Sequence, residues 1–296
     1  MIRRPLALLT MALFSAAAGA QNFDKVQVKT EKLSETSYML TGAGGNLGLS
    51  VGDDAVFLVD DQYAPMSPKI RAAVAAISKK PVKFVVNTHW HDDHTGGNEA
   101  LGKSDTVIVA HENVRKRMAA GQLIEFLGNN VKPFPKAALP VVTFTQDVKF
   151  HLNGDEISVT HVADAHTDGD SFVRFKKDNL VHMGDLFFNK LYPFIDTSSG
   201  GRVEGVIAAV DKVLAQTDDA TRFIPGHGPL ASKADLMAYR SMLEAISGRI
   251  RTMVGEGKTL EQVIAAKPTA DFDAVWGKGF LPPAKFTEMI YKNIKR

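Results

Sequence analysis

Beyond residue 24 the chain opens with short apolar or alternating runs, most of them bounded by Gly, Asp or Ser turn signals. Lys25–Thr30, Ser37–Thr41, Leu47–Val51 and Ala55–Asp60 therefore read as strands. Helical spacing follows over Ser67–Ser78. Val82–Val86 is a largely β-branched, apolar run, the pattern of a buried strand. The same reading predicts a strand at Thr106–Ala110, a helix from about Glu112 to Leu127, and strands at Val148–Leu152, Glu156–Val162, Ser171–Phe175 and Leu180–Met183. A helix at Val203–Leu214 and a strand at Arg222–Ile224 complete the second set, and the remainder from Ser232 is mostly helical. Two strand-rich halves, each followed by helices, predict an α/β (α+β) architecture: a four-layer αββα sandwich of two mixed sheets packed face to face.

The N-terminus changes the picture of where the chain works. Arg3 and Arg4 precede an apolar run, Leu6 to Phe14, and then the small residues Ala16 to Ala20. This is the pattern of a secretory signal peptide over residues 1–20, cleaved after Ala18-Gly19-Ala20, which predicts a periplasmic or secreted product. The apolar run is too short for a comfortable membrane span, so no stable membrane insertion is expected once it is removed. Removing the two arginines takes the formal net charge of +2 to zero. Basic and acidic residues are interspersed, which argues against nucleic acid as a partner. There are no cysteines, hence no disulfides and no thiolate ligand, in keeping with an oxidising compartment. Residues 21–296 carry no linker or fixed-period repeat and are read as one domain, with a helical C-terminal region from about 232. Gly128 to Pro140, with three prolines, reads as a loop. The sequence carries no signature of an oligomeric state.

Candidate chemistry is concentrated between Thr88 and Asn98, T-H-W-H-D-D-H-T-G-G-N. His89, His91, Asp93 and His94 fall within six residues, directly after the strand Val82–Val86. His89 and His91, two apart in an extended segment, point to the same side. Neutral imidazoles with a carboxylate are donors for a divalent ion such as zinc. Three further residues sit in turns that project a side chain: His166 in A-D-A-H-T-D-G-D, Asp185 in M-G-D-L-F-F, and His227 in I-P-G-H-G-P. A carboxylate at Asp185, at a strand end in apolar surroundings, is costly to bury unless paired or bound to metal. Phe187 to Phe194 places four aromatics in eight residues after Asp185, a candidate hydrophobic wall for a small-molecule substrate. Within it Asn189, Lys190 and Tyr192 are candidate substrate contacts, Asn189 or Lys190 toward a carboxylate or carbonyl oxygen.

H-W-H-D-D-H matches the H-x-H-x-D-H signature of the metallo-β-lactamase-fold superfamily, and His166, Asp185 and His227 follow in the order and contexts of that family's later metal motifs. The resemblance spans essentially the whole chain after residue 20. It implies two zinc ions per chain, with iron or manganese as alternatives: His89, His91 and His166 on one, Asp93, His94 and His227 on the other, and Asp185 bridging. Asp60 resembles a family acidic position that supports the metal loop from behind. The implied activity is that of a binuclear metal-dependent hydrolase, in which metal-bound hydroxide attacks an ester, lactone, thioester or lactam carbonyl and Asp93 both binds metal and orients that hydroxide. β-Lactamases of the family generally have a cysteine or a non-ligand at the position of Asp185, so the full set resembles glyoxalase II, lactonases and general hydrolases more closely. The leader and the length, in contrast, suit a periplasmic β-lactamase. An iron-dependent oxidoreductase and a non-catalytic periplasmic metal-binding accessory protein are the other expectations on the same fold.

Overall fold

The computed structural model describes residues 22–295; the leader expected at residues 1–20 lies outside them. A first sheet of seven strands is ordered β1 (Lys29–Lys32), β2 (Ser37–Thr41), β3 (Leu47–Val51), β4 (Val56–Val59), β5 (Val82–Val86), β6 (Val107–His111) and β9 (Val142–Phe144). It is antiparallel through β4 and parallel from β4 to β9. Between β6 and β9 a separate two-stranded ribbon forms from β7 (Gln122–Ile124) and β8 (Asn129–Val131). The second sheet runs β10 (Asp147–Leu152), β11 (Asp155–His161), β12 (Ser171–Phe175), β13 (Leu180–His182), β14 (Arg222–Ile224) and β15 (Ala231–Ser232). Only its β13–β14 pair is parallel.

Alternation along the strands builds the layers. In β4, Phe57 and Val59 face the second sheet, where they meet Ile157, Val159, Val173 and Phe175. Val56 and Leu58 point the other way, onto Ile70 and Val74 of helix α1 (Ser67–Ile77). The outer face of the second sheet, Phe172, Val181 and Phe223, is covered by the C-terminal helices. These include α5 (Val203–Leu214), α6 (Lys233–Gly255), α7 (Leu260–Ala265), α8 (Asp273–Trp276) and α9 (Pro283–Ile294). The order helix, sheet, sheet, helix is the expected sandwich. Ser232 and Asp235 form a reciprocal cap at the start of α6, satisfying two backbone donors that would otherwise be orphaned. No described helix is long and apolar enough to cross a membrane.

Several boundaries differ from the pattern reading. The helix expected to reach Leu127 is α4 (Glu112–Ala120), because Gly121 adopts φ +70° and a side chain there would lie 2.6 Å from the Val131 carbonyl oxygen. The chain turns there into the β7–β8 ribbon, which claims part of the expected loop Gly128 to Pro140. The first strand lies at residues 29–32 rather than 25–30: Asn22 caps a single 3₁₀ turn over Phe23–Lys25, and pairing of Lys29 with Thr41 sets the register. Strands β9 and β15, three and two residues long, are too short for any periodicity to announce them.

Phe57 lies wholly buried between the sheets, edge-on to Phe150 at 5.0 Å and Phe175 at 6.2 Å. Phe57→Ala is expected to lower unfolding free energy by about 3–5 kcal/mol through the cavity it opens; a urea titration that moves by less than about 1 kcal/mol contradicts this placement of the core.

Candidate metal centre

All the predicted donors arrive at one edge of the sandwich, on segments leaving the C-terminal ends of strands. His89 and His91 follow β5, while Asp93 and His94 lie on the single-turn helix α2 (Asp92–Thr95) that comes next. His166 follows β11, Asp185 sits in a 3₁₀ turn after β13, and His227 follows β14. They form two groups, His89, His91, His166 and Asp185, and Asp93, His94 and His227, each with donor atoms within 4.8 Å of one another.

Asp185 stands between the groups. Its Oδ2 is 3.8 Å from His89 Nε2 and 3.5 Å from His166 Nε2, and its Oδ1 is 3.0 Å from His94 Nε2 and 3.4 Å from His227 Nε2. Asp93 Oδ2 lies 3.2 Å from His227 Nε2 and 3.5 Å from His94 Nε2. Close packing here depends on missing side chains elsewhere: a Cβ on Gly45 would fall 2.1 Å from the His94 ring, and one on Gly226 2.1 Å from Asp185 Oδ1.

Four of the five imidazoles are held from behind by an oxygen, which leaves the other nitrogen facing the centre. His94 Nδ1 lies 2.8 Å from Asp60 Oδ2, His166 Nδ1 2.8 Å from the Phe194 carbonyl, His91 Nε2 3.1 Å from Asp196 Oδ2, and His89 Nδ1 3.0 Å from the Thr88 hydroxyl. Asp60, the predicted supporting carboxylate, also accepts from the Thr88 amide and hydroxyl, at 2.7 and 2.8 Å, and adopts φ +60° to do so. The inward nitrogens crowd each other: His166 Nε2 and His91 Nδ1 are 2.9 Å apart, and His94 Nε2 and His227 Nε2 3.4 Å. His89 Nε2 and Asp185 Oδ1, both buried, have no hydrogen-bond partner. Ring nitrogens this close need a proton between them, and a cation can take that proton's place while also meeting the unpartnered buried atoms. The residues fit a metal.

Electrostatics agree. Burial holds His89 well below its ordinary pKa and brings His166 to about 4, so both are in the neutral, ligating form. Burial pushes Asp93 up, but His94 and His227 overcome it and bring the carboxyl down to about 2. Burial pulls His227 down, but Asp185 and Asp93 raise it to about 9. In the metal-free chain these protons balance the buried carboxylates, and a cation would take their place.

The candidate substrate residues divide. Asn189 is buried, donating its amide to the Pro229 carbonyl and its backbone N–H to that of His227. Lys190, in a left-handed turn, is exposed, close enough to Asp235 to help Ser232 hold that carboxyl below its ordinary range. Neither lines the cleft of about 500 Å³ above the donors, whereas Tyr192, Phe188 and Phe194 of the same segment do. The cause is local: the backbone of this segment is tied to the loop after β14, and this turns Lys190 away from the cleft. Phe187 is core, packed on Tyr239. His182, not assigned to the site, is a buried strand histidine bonded to the Asn46 carbonyl; His111 and His161 stack on each other at 3.7 Å, away from the centre.

Sequence reasoning missed Asp196, Thr88 and the Phe194 carbonyl. Asp196 carried a weak signal, as an Asp opening the polar turn D-T-S-S, where it accepts from Ser198 and Ser199. Its contact with His91, 105 residues away, had none.

Residues 40–227 match the sequence profile of the metallo-beta-lactamase superfamily, which is nearly two thirds of the chain. The chain belongs to that superfamily, and its fold and histidine–aspartate centre are those of an enzyme class made up mostly of hydrolases. It is similar, at 26% identity over 144 residues, to 2,4-dinitroanisole O-demethylase subunit alpha of Nocardioides sp., with 46% of this chain and 39% of that one aligned. Hydroxyacylglutathione hydrolase of Polaromonas sp. is 23% identical over 192 residues, covering 62% of this chain and 65% of that one. Both alignments thus span less than two thirds of the relative's length. Among solved structures, a metallo-beta-lactamase from Pontibacter korlensis superposes with a TM-score of 0.60 at 21% identity, covering 74% of this chain and 99% of that chain. The stereoselective inverting sec-alkylsulfatase Pisa1 from Pseudomonas sp. gives 0.66 at 18%, covering 90% of this chain and 50% of its own.

Removing the carboxylate behind His91 is expected to weaken zinc binding by about 10- to 100-fold in Asp196→Ala. Competition with a chelating dye reads this directly, and an affinity equal to that of the parent protein would show that Asp196 does not support His91.

Proposed function

We propose that this protein is an exported hydrolase that holds two zinc ions and adds water across an acyl bond. The observation that carries the reading is the division of seven donors into two groups, with one oxygen of Asp185 turned toward the histidines of each. His89, His91 and His166 would hold one ion, and Asp93, His94 and His227 the other, with Asp185 between them. An all-nitrogen and oxygen donor set suits zinc, and also iron or manganese. The leader-like pattern from Arg3 to Ala20 supports action outside the cytoplasm.

When bound, the ions supply a Lewis acid for the acyl oxygen and a water whose pKa is lowered toward neutrality. The chain's own residues do the rest. Asp93 is held ionised and lines the cleft, so its carboxylate can accept a hydrogen bond from the attacking water and orient it. The reaction consumes one water: a C–O bond forms at the acyl carbon, the bond to the leaving group breaks, and the leaving atom takes up the proton that Asp93 can relay. Imidazoles fixed from behind by Asp60, Asp196 and the Phe194 carbonyl reorganise little during that charge movement. No protein nucleophile is required.

Protein comprising residues 21–296 is expected to bind two zincs and to hydrolyse esters or lactones in a chelator-sensitive manner, with activity returning on reloading. Asp93→Asn should lower kcat by about 10²- to 10⁴-fold. Two bound zincs with no turnover of esters, lactones, thioesters or a chromogenic cephalosporin would overturn the reading; iron with a visible absorption band would favour an oxidoreductase.

A further inference from the structure

The walls of the cleft bear on the substrate itself. Above the donor groups the cleft is bounded by Ile124 and Leu127 of the β7–β8 ribbon, by Phe188, Leu191 and Phe194 beyond Asp185, and by Phe280 between α8 and α9. Tyr192 also lines it, but its hydroxyl is spent on Asp273 Oδ1 at 2.8 Å and the Thr269 carbonyl at 3.3 Å, so it offers its ring. Among the described residues that line the cleft, none is Lys or Arg, and the charged ones outside the histidines are Asp92, Asp93 and Asp185. Asp92 is exposed and forms no salt bridge among the described residues. Lys190, though next in sequence to Leu191, is not among the residues that line the cleft. Leu127 and Phe280 remain 41% and 71% exposed, large apolar surface at a site where a ligand would cover it.

Resting on the hydrolase reading, we infer that the part of the acyl substrate projecting away from the metal floor is uncharged and apolar, an alkyl or aryl ester or lactone rather than a carboxylate-bearing substrate. A second carboxylate on that arm would lose water against Phe and Leu side chains, meet no cation, and be repelled by Asp92. Alkyl length, in contrast, is rewarded: each added CH₂ that reaches the wall should raise kcat/KM by about fourfold until the cleft is filled.

The test is a matched pair with the same leaving group and acyl length, 4-nitrophenyl hexanoate and the mono-4-nitrophenyl ester of adipic acid, on the zinc-loaded protein. The neutral ester should be favoured by about tenfold or more in kcat/KM. Leu127→Lys, at a half-exposed position, should shrink or reverse that ratio with zinc content and circular dichroism unchanged. Equal kcat/KM, or preference for the adipate ester, would overturn the substrate class and leave the hydrolase reading standing. Should neither ester turn over, the hydrolase reading fails, and calorimetric binding of the corresponding anilides, hexananilide and adipic monoanilide, decides the remaining point. Tighter binding of the neutral anilide supports an apolar cleft; equal or tighter binding of the anionic one overturns it.

Discussion

Two carboxylates, the half-buried Asp93 and the buried Asp185, face five imidazoles in a tight space, and much of the surrounding architecture is arranged around that crowding. Charge taken out of water is costly unless paired, and the His166 and His91 ring nitrogens, 2.9 Å apart, can satisfy each other only if one of them carries a proton. A cation relieves both problems at once. The sandwich supplies the means of bringing the groups together: β5, β11, β13 and β14 each end at the same edge, so segments distant in sequence deliver donors to one place. Rigid strands set the positions, and short polar turns set the directions.

Behind the donors lies a second tier that spends conformational freedom to fix ring orientation. Asp60 takes a left-handed backbone conformation immediately after β4, uncommon for a residue with a side chain. The strain is repaid locally, because from that position one carboxylate receives the Thr88 amide, the Thr88 hydroxyl and His94. Asp196 plays the matching part for His91. Its Oδ2 also accepts from Ser199, whose hydroxyl receives the indole N–H of Trp90, and Gln122 of the ribbon reaches the same serine at 2.8 Å. The ribbon that walls the cleft is thereby linked by hydrogen bonds to a donor on its floor.

How much of this could be read from the chain follows from the range of the interactions involved. Strands such as Val82–Val86 and Ser171–Phe175 were legible because packing between the layers leaves short, mostly apolar runs rich in Val and Phe. The donors were legible because the ligating side chains are chemically distinctive and clustered, from His89 to His94, or stand alone in glycine-rich turns, as His227 does. Asp60 was reached only through the family resemblance. Asp196 and the β7–β8 ribbon were not legible, since each depends on a partner fixed by tertiary structure: His91 for the first, and a left-handed Gly121 abutting Val131 for the second. Lys190 shows the opposite error. A cation five residues beyond a metal donor looks like a substrate contact in one dimension, yet the backbone bond from Asn189 to His227 turns it away.

The division between floor and wall also separates two questions that the sequence joins. The floor lies within the residues that match the superfamily profile, and relatives and structural neighbours carry names as different as a demethylase subunit, a hydroxyacylglutathione hydrolase and a sec-alkylsulfatase. A fold shared so broadly does not by itself choose a substrate, and leaves that choice to the side chains around the centre. Those side chains come from the ribbon, the aromatic stretch after Asp185 and the loop before α9. These are connections at the edge of the sandwich, and connections of this kind can vary without disturbing the strands beneath them. In this chain they are mostly apolar, Asn129 excepted, and no Lys or Arg is found among the described cleft residues; the proposed substrate preference rests on that wall rather than on the metal floor.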